Sequence, residues 1–239
     1  VRQHTLLIAC LALGFCTPGL RAAPTLAAIF GDGMVLQRDR PLEIWGTALK
    51  NERVTVEFAG QTKTVNADND GRWTITLESV PANAAPAELV LRGTDSRKVL
   101  HGVVVGDVWL CGGQSNMAMT LRSTVNRDLE IGSADFQAIR FLRVPLISRG
   151  SPQADLPSPK PKAQEGNWKQ ATTEHVGNCT GVGFHFAKVL HRMLKVPIGI
   201  VDVSWGGTMA QHWVAQEKLE PIKAMAPYFD QYATRLKQW

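Results

Sequence analysis

The spacing of apolar residues changes near residue 104, and this change limits the folds that the chain can adopt. Before it, apolar and polar side chains alternate: in RVTVEF, Val54, Val56 and Phe58 share one face of a strand. After it, the segment VVVGDVWLC is almost continuously apolar, which is typical of a strand buried on both faces. The sequence therefore predicts two kinds of sheet in one chain, a β-sandwich first and a parallel sheet second.

Residues 24–103 are predicted to form a small all-β sandwich module. The stretch RWTITLE repeats the alternation, with Trp73, Ile75 and Leu77 on one face, and Asn66–Gly71 before it contains residues that tolerate positive φ in turns. LEIWG and ELVLRG add short strands that end at glycine. Nothing in this module indicates catalysis, so we interpret it as an accessory module that packs against its neighbour or contacts carbohydrate.

Residues 104–239 are predicted to form an α/β domain. The segment GVGFHFAKVLHRMLK has apolar residues at helical spacing, and VPIGIVDVSW is a second buried strand. Strand, helix and strand with short joints are typical of a parallel sheet. Four prolines between 152 and 161 predict an exposed loop, and residues 214–239 can form an exposed helical hairpin.

The first 23 residues are predicted to be a secretion signal. Arg2 precedes the apolar run TLLIACLALGF, and LRAAP offers small residues for cleavage near Ala22 or Ala23. A secreted or periplasmic protein is therefore expected; a buried N-terminal strand and lipoprotein processing at Cys10 are the alternatives. No other stretch is apolar enough to span a membrane. The net charge of +5 comes from scattered Lys and Arg, which argues against nucleic-acid binding.

Ser115 lies just beyond the end of the first buried strand. Ligands of open α/β sheets bind at the carboxyl ends of the strands, and Gly112 and Gly113 allow a tight turn there. The serine can present a nucleophilic hydroxyl beside backbone N–H groups, or it can simply cap the helix that follows. Because Gly206 and Gly207 follow the second buried strand, the two glycine-rich strand ends together favour an acyl-transfer site.

Two blocks of the chain, GDVWLCGGQSNM and GVGFHFAKVLHRMLKVPIGIVDVSWGGT, resemble the sialate O-acetylesterase family, a branch of the SGNH (GDSL-like) hydrolases. IFGDGMVLQRDRPLEIWGTA extends the resemblance into the β-rich region. It implies an α/β fold in which an incomplete SGNH-type, flavodoxin-like parallel-sheet domain follows a small all-β sandwich. It also implies removal of O-acetyl groups from sialic acid or a related acetylated sugar, with no metal and no organic cofactor.

The resemblance gives a role to each matching residue. Ser115 would be the catalytic nucleophile. Its backbone N–H and that of Gly206 or Gly207 would form the oxyanion hole. Gln114 and Asn116 would frame the substrate pocket.

The chain also departs from the family pattern at two acidic positions. Ala118 and Gln211 stand where relatives commonly carry glutamate, so the substrate contacts are expected to differ. Gln211 is nevertheless predicted to bind the substrate.

The general base that a serine nucleophile needs is missing from the sequence pattern. Relatives use a histidine in an Asp-x-x-His motif near the C-terminus, and no Asp of this chain has a His three residues later. His212 is the histidine nearest the expected cleft, whereas His175, His185 and His191 are interpreted as packing or solvated residues. Two hypotheses follow. In the first, the chain is an esterase that a missing C-terminal half completes, and apolar strand edges are expected to be exposed without it. In the second, the chain is a catalytically inactive fragment or a carbohydrate-binding remnant.

Cys111 and Cys179 are the cysteines that lie outside the predicted signal. A disulfide between them and two buried free thiols are both compatible with the sequence. No Cys or His spacing indicates a metal site.

Overall fold

The computed structural model describes residues 23–156 and 165–237. The predicted signal, apart from Ala23, and the second half of the proline-rich loop lie outside these ranges. The strands are β1 (Thr25–Leu26), β2 (Val35–Gln37), β3 (Leu42–Thr47), β4 (Arg53–Phe58), β5 (Gln61–Asn66), β6 (Arg72–Leu77), β7 (Asn83–Arg92), β8 (Arg97–Cys111), β9 (Asp135–Arg143), β10 (Lys169–Thr172) and β11 (Ile198–Asp202). The α-helices are α1 (Ser115–Ala118), α2 (Arg127–Gly132), α3 (Gly181–Leu194), α4 (Gln216–Leu219) and α5 (Ala226–Leu236).

The strands form two sheets. One contains β1, β3 and β6, and the other runs β10-β9-β11-β8-β7-β4-β5, with β2 paired in addition to β8. The alternation read from the sequence is confirmed, because Val54, Val56 and Phe58 of β4 are buried, as are the apolar residues of β6. Strand β5 was not predicted, since its sequence QTKTVN carries little apolar pattern.

Apolar side chains from both sheets share one core in the first part of the chain. Ile44 and Ile75 of the three-stranded sheet and Val56, Leu89 and Leu91 of the larger sheet are almost fully buried in it. Each such side chain stabilises the fold by about 1.5–3 kcal/mol relative to its exposed state. Sheets that face each other in this way are what the alternating pattern requires, and the accessory role of this region stays a prediction.

Strand β8 is 15 residues long and belongs to both parts of the molecule. Its first part pairs antiparallel with β7, and its last part, from Asp107, pairs in parallel with β11. The boundary predicted between residues 103 and 104 therefore lies inside a continuous strand. Gly106 marks the change of partner: a Cβ there would stand 2.0 Å from the carbonyl oxygen of Pro197, so only glycine fits.

Strands β9, β11 and β8 form the predicted parallel sheet, and the α/β class is confirmed. Helix α3 covers one face of this sheet by burying Phe184 and Ala187 against Ile139, Ile198 and Ile200. The finer assignment to an SGNH-type, flavodoxin-like domain stays a prediction.

Helix α3 is confirmed at the predicted position, but most of its predicted apolar stripe faces outward, and only Leu190 of that stripe packs partly against the core. Val182, Phe186, Val189 and Met193 are between 40% and 72% exposed, whereas the face formed by Gly183, Phe184 and Ala187 is buried. The predicted C-terminal hairpin corresponds to the short α4 and to α5, both largely exposed. Within the described ranges, every helix is too short or too polar to cross a membrane.

Candidate active site

The carboxyl ends of β8 and β11 lie side by side and are tied together by their backbones. Cys111 and Asp202 are paired in the parallel register. Just beyond them, the N–H of Val203 donates to the carbonyl oxygen of Cys111 at 3.0 Å, and the N–H of Trp205 donates to that of Gly113 at 2.9 Å. The two glycine-rich turns predicted from the sequence therefore form one rim of the sheet.

Ser115 stands on this rim as the first residue of α1, and it is exposed. A Cβ placed on Gly206 would lie 3.7 Å from the Ser115 hydroxyl oxygen. Gly207, one residue further on, has a φ of +78°, a conformation that favours glycine. The structure thus brings the predicted nucleophile and the predicted oxyanion glycines to one place.

Gln114, rather than Ser115, is the residue that caps α1. Its side-chain Oε1 accepts the Ser115 hydroxyl at 2.9 Å and the Ser115 backbone N–H at 3.1 Å. The N–H assigned to the oxyanion hole is therefore occupied here by a neighbouring side chain. In the described part of the chain, the N–H groups of Gly206 and Gly207 donate no hydrogen bond.

The remaining predicted pocket residues differ in their placement. Asn116 is exposed beside Ser115 in α1. Gln211 lies in a 3-10 turn, Ala210–Trp213, where its Nε2 donates to the sulfur of Met209 at 3.4 Å. It lines a cleft of about 260 Å³ beside α4 and α5, together with His212, Tyr228 and Tyr232. Among the described residues, no hydrogen bond connects Gln211 with Ser115.

His212, the histidine nearest the expected cleft in sequence, forms a hydrogen bond within its own turn. Its Nδ1 accepts the backbone N–H of Met209 at 3.0 Å, and its ring lies 6.0 Å from that of Tyr228. The other histidines after the serine have local contacts as well. Nδ1 of His191 lies 2.7 Å from the carbonyl oxygen of Val196, His175 lies beside Glu174, and the ring of His185 lies 5.5 Å from that of Phe184. Over residues 23–156 and 165–237, no histidine or carboxylate is hydrogen-bonded to Ser115.

Trp213, which had no role in the sequence-based predictions, lies on the rim. Trp213 packs over Gly112, where a Cβ would stand 3.6 Å from its ring, and its Nε1 donates to the Thr208 hydroxyl at 2.9 Å. That hydroxyl donates in turn to the carbonyl oxygen of Trp205 at 2.8 Å. A tryptophan close behind the glycine turn was the available signal, since a Trp side chain combines a large apolar surface with one N–H donor.

Asp202 is a second residue that sequence reasoning missed. It ends β11, is 2% exposed, and its Oδ1 accepts the N–H and hydroxyl of Ser204 at 3.0 and 2.5 Å. Its Oδ2 is 3.9 Å from Nε of Arg143 and makes no hydrogen bond in the described part of the chain. An aspartate inside the otherwise apolar IGIVDV was the signal, because a buried carboxylate is rarely kept without a structural or functional reason.

Cys111 and Cys179 are buried free thiols, so the disulfide alternative is not found. Burial, with a smaller contribution from Asp202, raises the pKa of Cys111 to about 11. The same causes raise the pKa of Cys179 well above its ordinary value. Both residues are therefore neutral packing thiols rather than nucleophiles. No group of acidic, His and Cys side chains suited to a metal ion occurs in the described ranges.

Comparison with known proteins fits this geometry. No family model matches the chain. Sialate O-acetylesterase of Homo sapiens is 30% identical over 223 residues, which is 84% of this chain and 42% of that protein. The Rattus norvegicus sialate O-acetylesterase is 29% identical over 210 residues, with coverages of 81% and 38%.

Comparison of the fold also identifies an acetylesterase as a relative. A crystal structure of a carbohydrate acetylesterase from Xanthomonas citri superposes with a TM-score of 0.77 at 37% identity, covering 82% of this chain and 44% of that one. The chain thus spans less than half the length of the relatives it matches. By sequence and by fold, the chain is related to the sialate O-acetylesterases and to that carbohydrate acetylesterase.

Proposed function

We propose that this chain is the nucleophile-bearing part of a secreted or periplasmic carbohydrate esterase that removes O-acetyl groups from sialic acid or a related acetylated sugar. One observation carries the proposal: the exposed hydroxyl of Ser115 faces Gly206 at the joined carboxyl ends of two parallel strands. The relatives support the reaction class, since they are named as acetylesterases of sialate or carbohydrate.

The reaction follows from the placement of Ser115. Its Oγ attacks the acetyl carbonyl carbon, and the carbonyl oxygen takes the negative charge beside the N–H groups of Gly206 and Gly207. The bond from the acetyl carbon to the sugar oxygen then breaks, and the sugar oxygen takes up a proton. Water hydrolyses the acetyl-serine and releases acetate. The Ser115 N–H can join the oxyanion hole only after the side chain of Gln114 has moved away.

The proton of the hydroxyl must also reach a base. The Gln114 amide oxygen that accepts it in this structure is too weakly basic to remove it. Loss of the base in a serine hydrolase costs on the order of 10⁶-fold in rate. Efficient turnover therefore requires a base that is not hydrogen-bonded to Ser115 in this structure. This same observation favours a second candidate function, a carbohydrate-binding or catalytically inactive chain.

Acetate release distinguishes the two candidates. The purified chain is incubated with O-acetylated sialic acid and with p-nitrophenyl acetate, next to Ser115→Ala and the control Ser123→Ala, which replaces another exposed serine. Release by the wild type and the control, but not by Ser115→Ala, supports the esterase. Equal release by all three proteins removes Ser115 from the mechanism. If no variant releases acetate while the wild type still binds the sugar, the second candidate is favoured. Secretion is tested by mass determination of the mature N-terminus.

A further inference from the structure

A cavity of about 620 Å³ lies between the β-sandwich and the rim that carries Ser115. Trp45 lines it from the sandwich, and Leu110 and Trp205 line it from the ends of β8 and β11. Its third wall is formed by residues between 144 and 156, which follow β9. The volume lies within the roughly 300–1,000 Å³ that sites for small organic ligands have. Both parts of the molecule therefore contribute to one site of ligand size.

One wall of the cavity lies next to the candidate nucleophile. Trp205 immediately precedes Gly206, and its backbone N–H donates to the carbonyl oxygen of Gly113 at 2.9 Å. A Cβ placed on Gly206 would lie 3.7 Å from Oγ of Ser115. The cavity wall and the place of the proposed acyl transfer are therefore parts of the same rim.

Trp45 is a large aromatic residue on the outer face of the sandwich. Burial alternates along β3, so that Leu42 and Ile44 enter the core while Trp45 is 40% exposed. Its ring meets that of Phe30 edge-on, with the ring centroids 4.7 Å apart. Packing of the sandwich core therefore does not explain this tryptophan, whereas a ligand that packs on its exposed surface does.

Two further side chains make the lining suited to a saccharide. Trp205 is 38% exposed and offers a second aromatic surface. Arg149 is exposed, and in the described part of the chain its guanidinium donates only to the carbonyl oxygen of Ser148, at 3.4 Å. Its other N–H donors are therefore available to a ligand. A sugar ring needs both kinds of partner, because its C–H faces pack on indole rings and its oxygens accept from a guanidinium.

Hydrogen bonds between the two parts of the chain hold the cavity walls in place. Both carboxylate oxygens of Asp155 lie 3.0 Å from the backbone nitrogen of Ala28, whose N–H they accept. Nε1 of Trp168 donates to the carbonyl oxygen of Ile29, another lining residue, at 2.8 Å. The segment that follows β9 is thus tied to the sandwich. A cavity that is already formed spares the ligand the cost of ordering loops when it binds.

We propose that this cavity binds the saccharide part of an acetylated oligosaccharide, whose rings pack on Trp45 and Trp205 and whose oxygens accept from Arg149. The inference deepens the proposed function and rests on it for the chemical class of the ligand. It also gives the β-sandwich a direct role, since Trp45 becomes a residue that determines specificity although it lies outside the parallel sheet.

Calorimetric titration tests the cavity without relying on turnover. The full chain carrying Ser115→Ala, which leaves the ligand intact, is titrated with O-acetylated sialyllactose and with acetylated xylotetraose. We expect 1:1 binding of at least one of them. Adding Trp45→Ala should weaken this binding by about tenfold, the scale of one lost aromatic contact, whereas Trp45→Phe, which keeps an aromatic face, should weaken it by about threefold or less.

Trp109→Ala is the matched control. Trp109 is 42% exposed, but the alternation along β8 places it on the face opposite to Leu110, where its ring meets that of Phe186 of α3. This variant should bind the oligosaccharide as tightly as its Ser115→Ala parent. Unchanged affinity in Trp45→Ala, equal losses in Trp45→Ala and Trp109→Ala, or binding of neither oligosaccharide would each overturn the proposal.

Failure of this proposal and failure of the proposed function give different results. A chain that binds the oligosaccharide through Trp45 but releases no acetate keeps the cavity as a saccharide site and counts against the esterase alone. Acetate release that requires Ser115 but is as fast in Trp45→Ala as in wild type, with the same affinity for the oligosaccharide, keeps the esterase and counts against the cavity alone.

Discussion

The side-chain oxygen of Gln114 accepts both the hydroxyl and the backbone N–H of Ser115, at 2.9 and 3.1 Å. One amide thus engages two groups that acyl transfer would use, the nucleophile and an oxyanion donor. Under the proposed function, the substrate therefore has to displace this side chain before Ser115 can react.

Gln114→Ala should speed the reaction of Ser115 with a small fluorophosphonate. The Ser115 N–H becomes free to bind the phosphoryl oxygen, so we expect labelling to rise by about threefold to tenfold, the scale of one modest hydrogen bond. Hydrolysis of an acetylated sugar should not gain in the same way, because Gln114 is also proposed to frame the pocket. The measurement is the labelling rate by mass spectrometry; unchanged or slower labelling would contradict a blocking role for this side chain.

Gly206→Ala should affect reactivity more than stability. The added Cβ would meet Ser115 at ordinary van der Waals distance, 3.7 Å from Oγ and 3.9 Å from Cα, so the fold can accept it. The methyl group would nevertheless occupy the space beside the hydroxyl, and labelling should slow by about tenfold or more. Gly132→Ala is the control, since a Cβ there meets nothing within 4 Å. A labelling rate equal to that of the control would place the oxyanion elsewhere.

Asp202→Asn should lower the free energy of unfolding by about 1–3 kcal/mol, the cost of a buried polar group without a partner. The amide can keep the bonds from Ser204 to Oδ1, but it puts an NH₂ group where Oδ2 faces Arg143. Urea unfolding measures the change. Ser204→Ala, which removes only the hydroxyl bond, should cost less. If both variants were as stable as wild type, the carboxylate would have no structural role at the rim.

Stability should fall at alkaline pH through the buried thiols. Burial raises the pKa of Cys111 from 9.0 to about 11, so the folded protein keeps a proton that the unfolded chain releases. This contribution is fully present below pH 9 and is lost as the pH rises from 9 towards 11, by about 2 kcal/mol. Denaturant unfolding across this range should show a smaller loss for Cys111→Ala than for wild type. A loss of the same size in both proteins would assign it to other groups.

The elements whose apolar pattern is local could be predicted from the sequence. Strands β4, β6 and β11 and helix α3 were predicted from periodicity, and the meeting of Ser115 with Gly206 followed from the rule that parallel strands end at one rim. Strand β9 was missed. Its buried Arg140 interrupts the apolar run and is satisfied by the carbonyl oxygens of Gly33 and Gly102, which are remote in sequence. The outward direction of the α3 stripe was also beyond a periodicity argument, because spacing shows that a face exists but not what covers it.

The continuity of β8 could not be predicted either, because an apolar pattern does not show which strands are neighbours. The change of periodicity near residue 104 looks like a border between two domains, yet the backbone stays extended through it while its neighbours change from β7 to β11. A strand can serve two environments in succession, and composition alone does not distinguish this from a linker.

Because β8 is shared, the β-sandwich region is joined rigidly to the parallel sheet and is not connected through a flexible linker. Heating should unfold both regions in a single calorimetric transition, since neither region can unfold without disrupting β8, which the other region also contains. A sugar bound to the β-sandwich region would therefore have a fixed orientation relative to the rim that carries Ser115.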